Sequence, residues 1–210
     1  MDRQEHWQKI YHDKHFDQVS WYQDEARTSL NLIRESALRH DQAMIDVGGG
    51  ASGLVDTLLA DGYRDVTVLD LSSHGLDQAR TRIGPASNAA RWITADITRY
   101  TPTKDLDDPP PFYLWHDRAV YHFLTDPADQ HAYRTTLCQS LKVGGHLILA
   151  AFADDGPTKC SGLTVRQFSP DSMTHDFAEY FTLVRHIKET HQTPSGSRQS
   201  FLYGLYERHG

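Results

Sequence analysis

Apolar positions at helical spacing open the chain. They predict a helix over residues 2–14, with Trp7 and Tyr11 on one face, and a second helix over residues 24–38, in which Leu30 recurs with other apolar residues on one side. Neither segment has the alternation of a β-strand. The chain therefore begins with two helices.

Short apolar runs then alternate with helical patterns. The predicted strands are 44–47, 66–70, 90–96, 112–117 and 146–152, and the helices between them are 53–62, 74–84 and 127–141. Pro127 suits the first turn of the last of these helices. Strands that alternate with helices at this spacing predict a parallel, doubly wound α/β sheet.

The end of the chain has a different pattern. Two extended runs, 181–191 and 200–208, are joined by QTPSGSRQ, in which Pro194 and Gly196 favour a turn. Strands joined by a short turn pair antiparallel. The prediction is thus an α/β, doubly wound seven-stranded sheet of five parallel strands plus a C-terminal antiparallel hairpin. We expect a single domain over 1–210, with an N-terminal helical lid over 1–40 and a core over 41–210.

Composition limits the function classes. The 210 residues carry a formal net charge of −7, so nucleic acid is not an expected partner. Neither a membrane span nor a signal peptide is evident, and the two cysteines make no disulfide framework. These features predict a cytoplasmic location and no membrane partner. They say nothing about the oligomeric state.

The stretch IDVGGGASG, residues 45–53, carries the first candidate chemistry. Gly48, Gly50 and Gly53 satisfy G-x-G-x-x-G, and Asp70 follows Gly50 by 20 residues, which suits a dinucleotide-binding dehydrogenase. Asp46 stands directly before the glycines and would repel a pyrophosphate. A ligand with an ammonium group, such as S-adenosylmethionine (SAM), suits that carboxylate better.

Five features in this order resemble the class I SAM-dependent methyltransferases over most of the chain. They are Asp46 with the glycines, Asp70 in VTVLDLS, Asp96 in ITADI, the glycine turn in LKVGGHLIL and the terminal hairpin. The resemblance implies SAM as cofactor and S-adenosylhomocysteine (SAH) as product. It also implies that Asp70 with Leu71 binds the ribose region, and that Asp96 with Ile97 lies at the adenine.

Three further segments bear on the methyl acceptor. FDQVSWYQ, 16–23, is similar to a segment of eukaryotic lysine methyltransferases that act on elongation factor and citrate synthase. WHDRAVYHFL, 115–124, resembles stretches of those enzymes and of thiopurine methyltransferases. FADDGPTKCSGLTV, 152–165, follows the fifth strand. Trp21 and Tyr22 are candidates to cover the sulfonium, since a cation lies well on an aromatic face.

The second of these segments supplies the candidate catalytic residues. Asp117 or His122 could take a proton from the acceptor. Arg118 could hold an acidic substrate group by a two-pronged contact. If a helix follows Asp117, Arg118 and His122 share one face and Asp117 and Tyr121 another. Pairing of Arg118 with Asp117 is an equal alternative.

Cys160 lies in the third segment. Cys160 and Tyr121 are the candidate substrate-contacting residues, and an ordinary loop cysteine without a direct role is the favoured alternative for Cys160. A soft metal held by Cys160 together with His116, His122 or His191 is a weaker alternative, and no metal site is predicted.

The sequence thus predicts an enzyme that transfers a methyl group from SAM to a nucleophilic N, S or O atom of a small-molecule acceptor. A protein lysine methyltransferase is the first alternative. An NAD-dependent oxidoreductase or a non-catalytic SAM-binding protein is the second.

Overall fold

The computed structural model describes residues 2–101 and 112–210, and its centre is a seven-stranded sheet. The helices are α1 Arg3–Asp13, α2 Arg27–Glu35, α3 Leu54–Ala60, α4 Ser73–Ile83, α5 Pro127–Ser140 and α6 Pro170–Phe177, with 3-10 turns at Phe16–Gln18, Gly84–Ala89 and Tyr121–Phe123. The strands are β1 Met44–Val47, β2 Val66–Asp70, β3 Ala90–Thr94, β4 Phe112–Arg118, β5 Leu141–Phe152, β6 Lys159–Cys160, β7 Leu163–Thr164, β8 Phe181–Gln192 and β9 Arg198–Arg208.

The strand order in the sheet is β3-β2-β1-β4-β5-β9-β8. The first five strands run parallel, and β9 pairs antiparallel with both β5 and β8. This confirms the predicted fold class. The order reverses between β1 and β4, and in such sheets a ligand binds outside the carboxyl ends of the strands at that point.

Two apolar clusters cover the two faces of the sheet. One face packs against α5 and α6, through Tyr133, Leu137 and Phe177. The other packs against α2, α3 and α4, through Ile33, Leu58 and others. The central strands are buried on both sides, which explains why their sequences are continuously apolar rather than alternating.

Local signals place the helix starts. The Ser72 side chain accepts a hydrogen bond from the Gly75 amide at the start of α4, and Asp126 accepts one from Ala128 at the start of α5. Both caps satisfy amides that have no partner inside the helix. Ser72 comes just after β2, and Asp126 comes just after the turn that follows β4. Both caps therefore help to fix the carboxyl edge of the sheet.

The N-terminal 40 residues divide into two parts. The α2 helix buries its apolar side on the sheet and behaves as a core helix. It is also shorter than the predicted 24–38, because its N-terminus begins at Arg27 and Ala37 takes a left-handed φ of 54°. The part before α2, with α1 and the turn at Phe16–Gln18, lies over the carboxyl ends of the strands.

Three other elements differ from the sequence prediction. A continuous helix does not follow Asp117, because Ala119 has a φ of 72° and only the short turn Tyr121–Phe123 forms. The hairpin of β6 and β7 and the helix α6 were not predicted. The proline-rich stretch 105–112 lies outside the described residues except for Phe112. Among the described residues, no helix has the length and apolar character to span a bilayer.

Candidate cofactor and methyl-acceptor site

The glycine loop after β1 is shaped by close neighbours. A Cβ on Gly48, whose φ is 70°, would overlap the Val120 side chain, and one on Gly49 would lie 2.7 Å from Asp46 Oδ2. Gly50, with a φ of 42°, leaves no room for a Cβ beside Tyr11. These positions therefore require glycine. A Cβ on Gly53 would meet nothing within 4 Å, so this third glycine of the fingerprint is not sterically required.

Two connected pockets lie over this edge of the sheet. The glycine-loop pocket, about 560 Å³ with its open mouth included, is lined by Asp46, Gly48, Gly49, Gly53, Ser29, His116 and Tyr22. The strand-end pocket, about 870 Å³ with its open mouth included, is lined on one side by Asp70, Leu71, Asp96 and Ile97, and on the other by Val120, Phe123, Cys160 and Leu163. Trp21, Gly48 and Arg118 line both pockets. The predicted cofactor residues thus line these adjoining pockets, with the exception of Gly50, which lines neither.

Three carboxylates stand in a row along this cavity. Asp46 and Asp70 lie in β1 and at the end of β2, and Asp96 lies just after β3, so the acids come from three adjacent strands. Asp46 is 2% exposed, and its Oδ2 is buried with no hydrogen-bond partner in the described part of the chain. A buried carboxylate oxygen without a partner is costly, so this atom suits a cationic donor from a ligand.

Asp70 and Asp96 are each held by a neighbouring amide. Asp70 Oδ1 accepts from the Ser72 amide at 2.7 Å, and Asp96 Oδ1 accepts from the Thr98 amide at 2.9 Å. Burial raises the pKa of Asp70 to about 7, and the like charge of Asp46 adds to this rise. The hydrogen bonds fix both carboxylates in orientation. The hydroxyl pair of a ribose could offset the cost of keeping the Asp70 carboxylate charged.

Aromatic residues of the N-terminal segment cover the strand-end pocket. Trp7 lies edge-on to Trp21 at 5.7 Å and to Phe123 at 5.0 Å between ring centroids, and Tyr11 lies 6.1 Å from Trp21. Trp21 stands where the two pockets join, as expected of a residue over the reacting group. Tyr22 lines only the glycine-loop pocket of the two and donates to Asp24 at 2.8 Å.

Arg118 is fixed more tightly than its sequence context suggests. Its Nε donates to the Tyr203 hydroxyl and its Nη1 to the Trp21 carbonyl, both at 2.9 Å, and its guanidinium lies 4.5 Å from the Phe201 ring centroid. Nη2 is buried and has no partner in residues 2–101 and 112–210. Both N–H bonds of Nη2 therefore remain for a ligand, and the predicted two-pronged contact would have to use Nη2 together with the second N–H of Nη1.

Asp117 does not reach the cavity. It is fully buried, accepts hydrogen bonds from the Val120 amide at 2.9 Å and the Tyr133 hydroxyl at 2.7 Å, and lines neither pocket. It does not pair with Arg118. Burial raises its pKa to about 6, and the Tyr133 hydrogen bond opposes the rise. The carboxylate holds the turn that follows β4, which is a different role from the predicted proton acceptor.

His122 and Tyr121 also lie behind the cavity wall. The His122 ring packs 4.6 Å from Phe152, and its Nδ1 accepts from the Phe152 amide at 3.3 Å. Burial lowers the pKa of His122 to about 3, and the Arg118 charge adds to this effect. The Tyr121 hydroxyl donates to Asp176 at 3.0 Å. The left-handed Ala119 turns both side chains away from the position that a helix would have given them.

Cys160 lines the strand-end pocket, and its contact with a substrate stays a prediction. Its sulfur lies 4.0 Å from the Ser20 hydroxyl and 3.9 Å from that of Ser161, and burial raises the pKa of the thiol. His191 bonds instead to the Ser20 carbonyl at 2.8 Å. Within the described ranges, no three His, Cys, Asp or Glu side chains are grouped so as to hold a metal.

Sequence reasoning missed several lining residues. Arg3, Trp7 and Tyr11 recur every four residues, so they lie on one face of α1, and all three line the strand-end pocket. That spacing is a usable signal for the cavity as well as for packing. Ser29 and His116 carry no comparable signal, because their proximity depends on how α2 packs and on the register of β1 with β4.

Comparison with known proteins places this geometry in context. No family model matches the chain. Nodulation protein S of Bradyrhizobium diazoefficiens is 27% identical over 131 residues, which is 62% of this chain and 59% of that protein. The alignment thus spans under two thirds of that relative.

Solved structures match over nearly the whole chain. The N-methyltransferase NodS of Bradyrhizobium japonicum WM9 in complex with SAH has a TM-score of 0.69 at 16% identity, covering 99% of each chain. The 1,6-didemethyltoxoflavin-N1-methyltransferase of Burkholderia thailandensis has a TM-score of 0.70 at 18% identity, covering 99% of this chain and 87% of that one. The protein therefore has the class I SAM-dependent methyltransferase fold.

Proposed function

We propose that the protein is a SAM-dependent methyltransferase acting on a small-molecule acceptor. The observation that carries the proposal is the row of Asp46, Asp70 and Asp96 at the carboxyl ends of three adjacent strands in one cavity. The order suits an ammonium group, a ribose and an adenine amino group in succession. A pyrophosphate beside Asp46 would be repelled, so NAD fits this cavity poorly.

The cavity divides naturally between cofactor and acceptor. Residues after β2 and β3 form one side of the strand-end pocket, and residues after β4 with the β6–β7 hairpin form the other. With the cofactor along the acids, the acceptor occupies the side of Val120, Phe123, Cys160 and Leu163. This side is mainly apolar and aromatic, and it excludes water from the transfer.

SAM supplies an electrophilic methyl group, whose bond to sulfur breaks as the acceptor's lone pair bonds to carbon, leaving neutral SAH. The chain's part in this reaction is alignment of the two reactants. The Trp21 ring stands at the junction of the pockets and offers an aromatic face to a cation. The free Nη2 of Arg118 offers its two N–H bonds to a polar or anionic group of the acceptor.

The acceptor side offers no evident general base. No histidine lines the strand-end pocket in the described part of the chain, and its carboxylates, Asp70 and Asp96, lie on the cofactor side. Burial raises the pKa of Cys160, which disfavours its thiolate. The nucleophile must therefore arrive with an available lone pair. This condition favours a nitrogen atom, as do the N-methyltransferase structures that share the fold.

The test has two stages. Calorimetry should show that SAM and SAH bind and that NAD does not; tight NAD binding without a response to SAM would refute the proposal. A screen of small amines and nitrogen heterocycles with SAM should then give equal amounts of SAH and methylated product. A thiol or hydroxyl acceptor that outperforms every amine would keep the enzyme class and overturn the choice of nitrogen.

A further inference from the structure

Asp46 is the first of a row of buried, hydrogen-bonded side chains that extends away from the cavity. Its Oδ1 lies 2.7 Å from His116 Nδ1, and the other ring nitrogen of His116 lies 2.8 Å from the Ser29 hydroxyl. All three residues are at most 2% exposed. Both nitrogens of the imidazole are thus engaged, and the ring has one fixed orientation.

The side chains of this row come from separate helices and strands. Asp46 and His116 are direct neighbours across the β1–β4 pair, and Ser29 comes from α2, on the same face of the sheet. The Tyr203 phenol, which accepts a hydrogen bond from Arg118, lies near Ser29. The hydrogen-bonded row itself consists of Asp46, His116 and Ser29.

The free oxygen of Asp46 is the functional end of this row. With Oδ1 tied to His116, the carboxylate can rotate little, and Oδ2 stays buried without a partner from the described residues. Gly49 is so close that a Cβ there would lie 2.7 Å from Oδ2. The absence of a side chain at Gly49 thus keeps the space beside this oxygen free of protein atoms that a Cβ would add.

We propose that His116, held by Ser29, is a positioning residue for the cofactor: it fixes Asp46 so that Oδ2 receives the ammonium group of the amino-acid part of SAM. The inference rests on the proposed function, because it takes SAM as the ligand. His116 contacts Asp46 and not the ligand, so its effect depends on the amino-acid group being present.

The experiment compares two ligands that differ in that group. SAH carries the amino-acid group, and 5′-methylthioadenosine lacks it. Dissociation constants for both are measured by calorimetry on the wild type, His116→Asn, His116→Gln and Ser29→Ala. An Asn amide nitrogen can take the place of His116 Nδ1 beside Asp46, whereas a Gln amide takes the place of Nε2 beside Ser29. His186→Gln, the same change at an exposed position of β8, is the matched control.

We expect His116→Gln to weaken SAH at least about tenfold, equivalent to about 1.4 kcal/mol, and to leave 5′-methylthioadenosine within about twofold. His116→Asn should retain most of the SAH affinity. Ser29→Ala should weaken the affinity for SAH about two- to tenfold, because one neutral hydrogen bond is removed. Its affinity for 5′-methylthioadenosine should not change. His186→Gln should change neither ligand.

If the affinities for both ligands fall equally, His116 has a merely structural role and the inference is overturned. It is also overturned if neither affinity falls, or if His116→Asn and His116→Gln weaken SAH binding equally. If His116→Gln does not fold, Ser29→Ala decides the question: its affinity for SAH must fall more than its affinity for 5′-methylthioadenosine. A wild type that binds neither ligand would refute the proposed function itself, which is a distinct outcome.

Discussion

Replacement of Asp70 by asparagine should stabilise the protein while it weakens the cofactor. The Asp70 side chain is 7% exposed, and burial raises its pKa from 3.8 to about 7. A carboxyl group whose pKa is raised on folding destabilises the folded state wherever it must be charged. An asparagine side chain has nearly the same shape without the charge, so the variant removes that cost.

The size and sign follow from the two pKa values. Below about pH 4 the carboxyl group is protonated in both states and there is no penalty. Between about pH 4 and pH 7 the unfolded chain loses the proton first, so wild-type stability falls, and above about pH 7 the full penalty applies. Since one pKa unit corresponds to about 1.4 kcal/mol, the difference between 3.8 and about 7 sets an upper limit of about 4 kcal/mol.

The asparagine amide in Asp70→Asn recovers only part of this free energy. It can still accept the hydrogen bond from the Ser72 amide, but its NH2 group meets the Gly50 amide, which bonds to the carboxylate in the wild type. That conflict costs about 1 kcal/mol or more. We therefore expect Asp70→Asn to gain about 1–3 kcal/mol at pH 8, which is about 3–10 °C in Tm for a chain of this size.

Thermal unfolding without ligand at pH 5 and pH 8 measures this gain. The increase in Tm should be less than half as large at pH 5, and Asp77→Asn, at an exposed position of α4, is the control. The same variant should bind SAH at least about tenfold more weakly, since charged hydrogen bonds to the ribose are each worth about 1.5–3 kcal/mol. An Asp70→Asn variant that is less stable than the wild type at pH 8, or equally shifted at both pH values, would refute the reasoning.

Three further predictions concern the rest of the cavity. Arg118→Lys keeps the charge but loses the guanidinium geometry, so steady-state kinetics should show a higher acceptor KM or lower turnover with SAH affinity within about threefold; a collapse of SAH affinity with unchanged acceptor kinetics would place Arg118 in the cofactor site. Trp21→Ala should lower both turnover and SAM affinity, the latter by about 0.5–2 kcal/mol. Trp21→Phe should recover most of both, and an unchanged SAM affinity in Trp21→Ala would show that Trp21 does not contact the cofactor. Asp117→Ala leaves the Val120 amide and the Tyr133 hydroxyl without their buried acceptor, so it should lower the free energy of unfolding by about 1–3 kcal/mol, and Tm with it, yet leave the KM values unchanged; a selective loss of turnover with unchanged Tm would restore Asp117 as the proton acceptor.

Much of the fold was readable from the sequence because the signals are local. Each central strand is a short apolar run, and each ends near a glycine or an acid that marks the carboxyl edge of the sheet. The terminal hairpin is marked by Pro194 and Gly196 in its turn. By contrast, β6 and β7 have two residues each and α6 has eight, too few for a periodic pattern to stand out.

The position of Asp46, Asp70 and Asp96 in one cavity was predictable for the same reason, whereas the position of the catalytic candidates was not. Asp46, Asp70 and Asp96 each end or follow a strand, so topology alone brings them together. The roles of Asp117 and His122 depended on helical spacing after β4. One residue, Ala119 with its φ of 72°, breaks that spacing and turns both side chains into the core.

The acceptor side of the cavity illustrates a more general limit. Its walls come from α1 through Trp7, from the turn after β4 through Phe123, and from the β6–β7 hairpin through Cys160 and Leu163. These residues are distant in sequence, and each one alone has the composition of ordinary packing. Under the proposed function, acceptor specificity resides in how α1 and these two loops meet, while cofactor binding resides in the strand ends. The proposal then predicts that a change of acceptor needs substitutions in those loops and none in the row of acids.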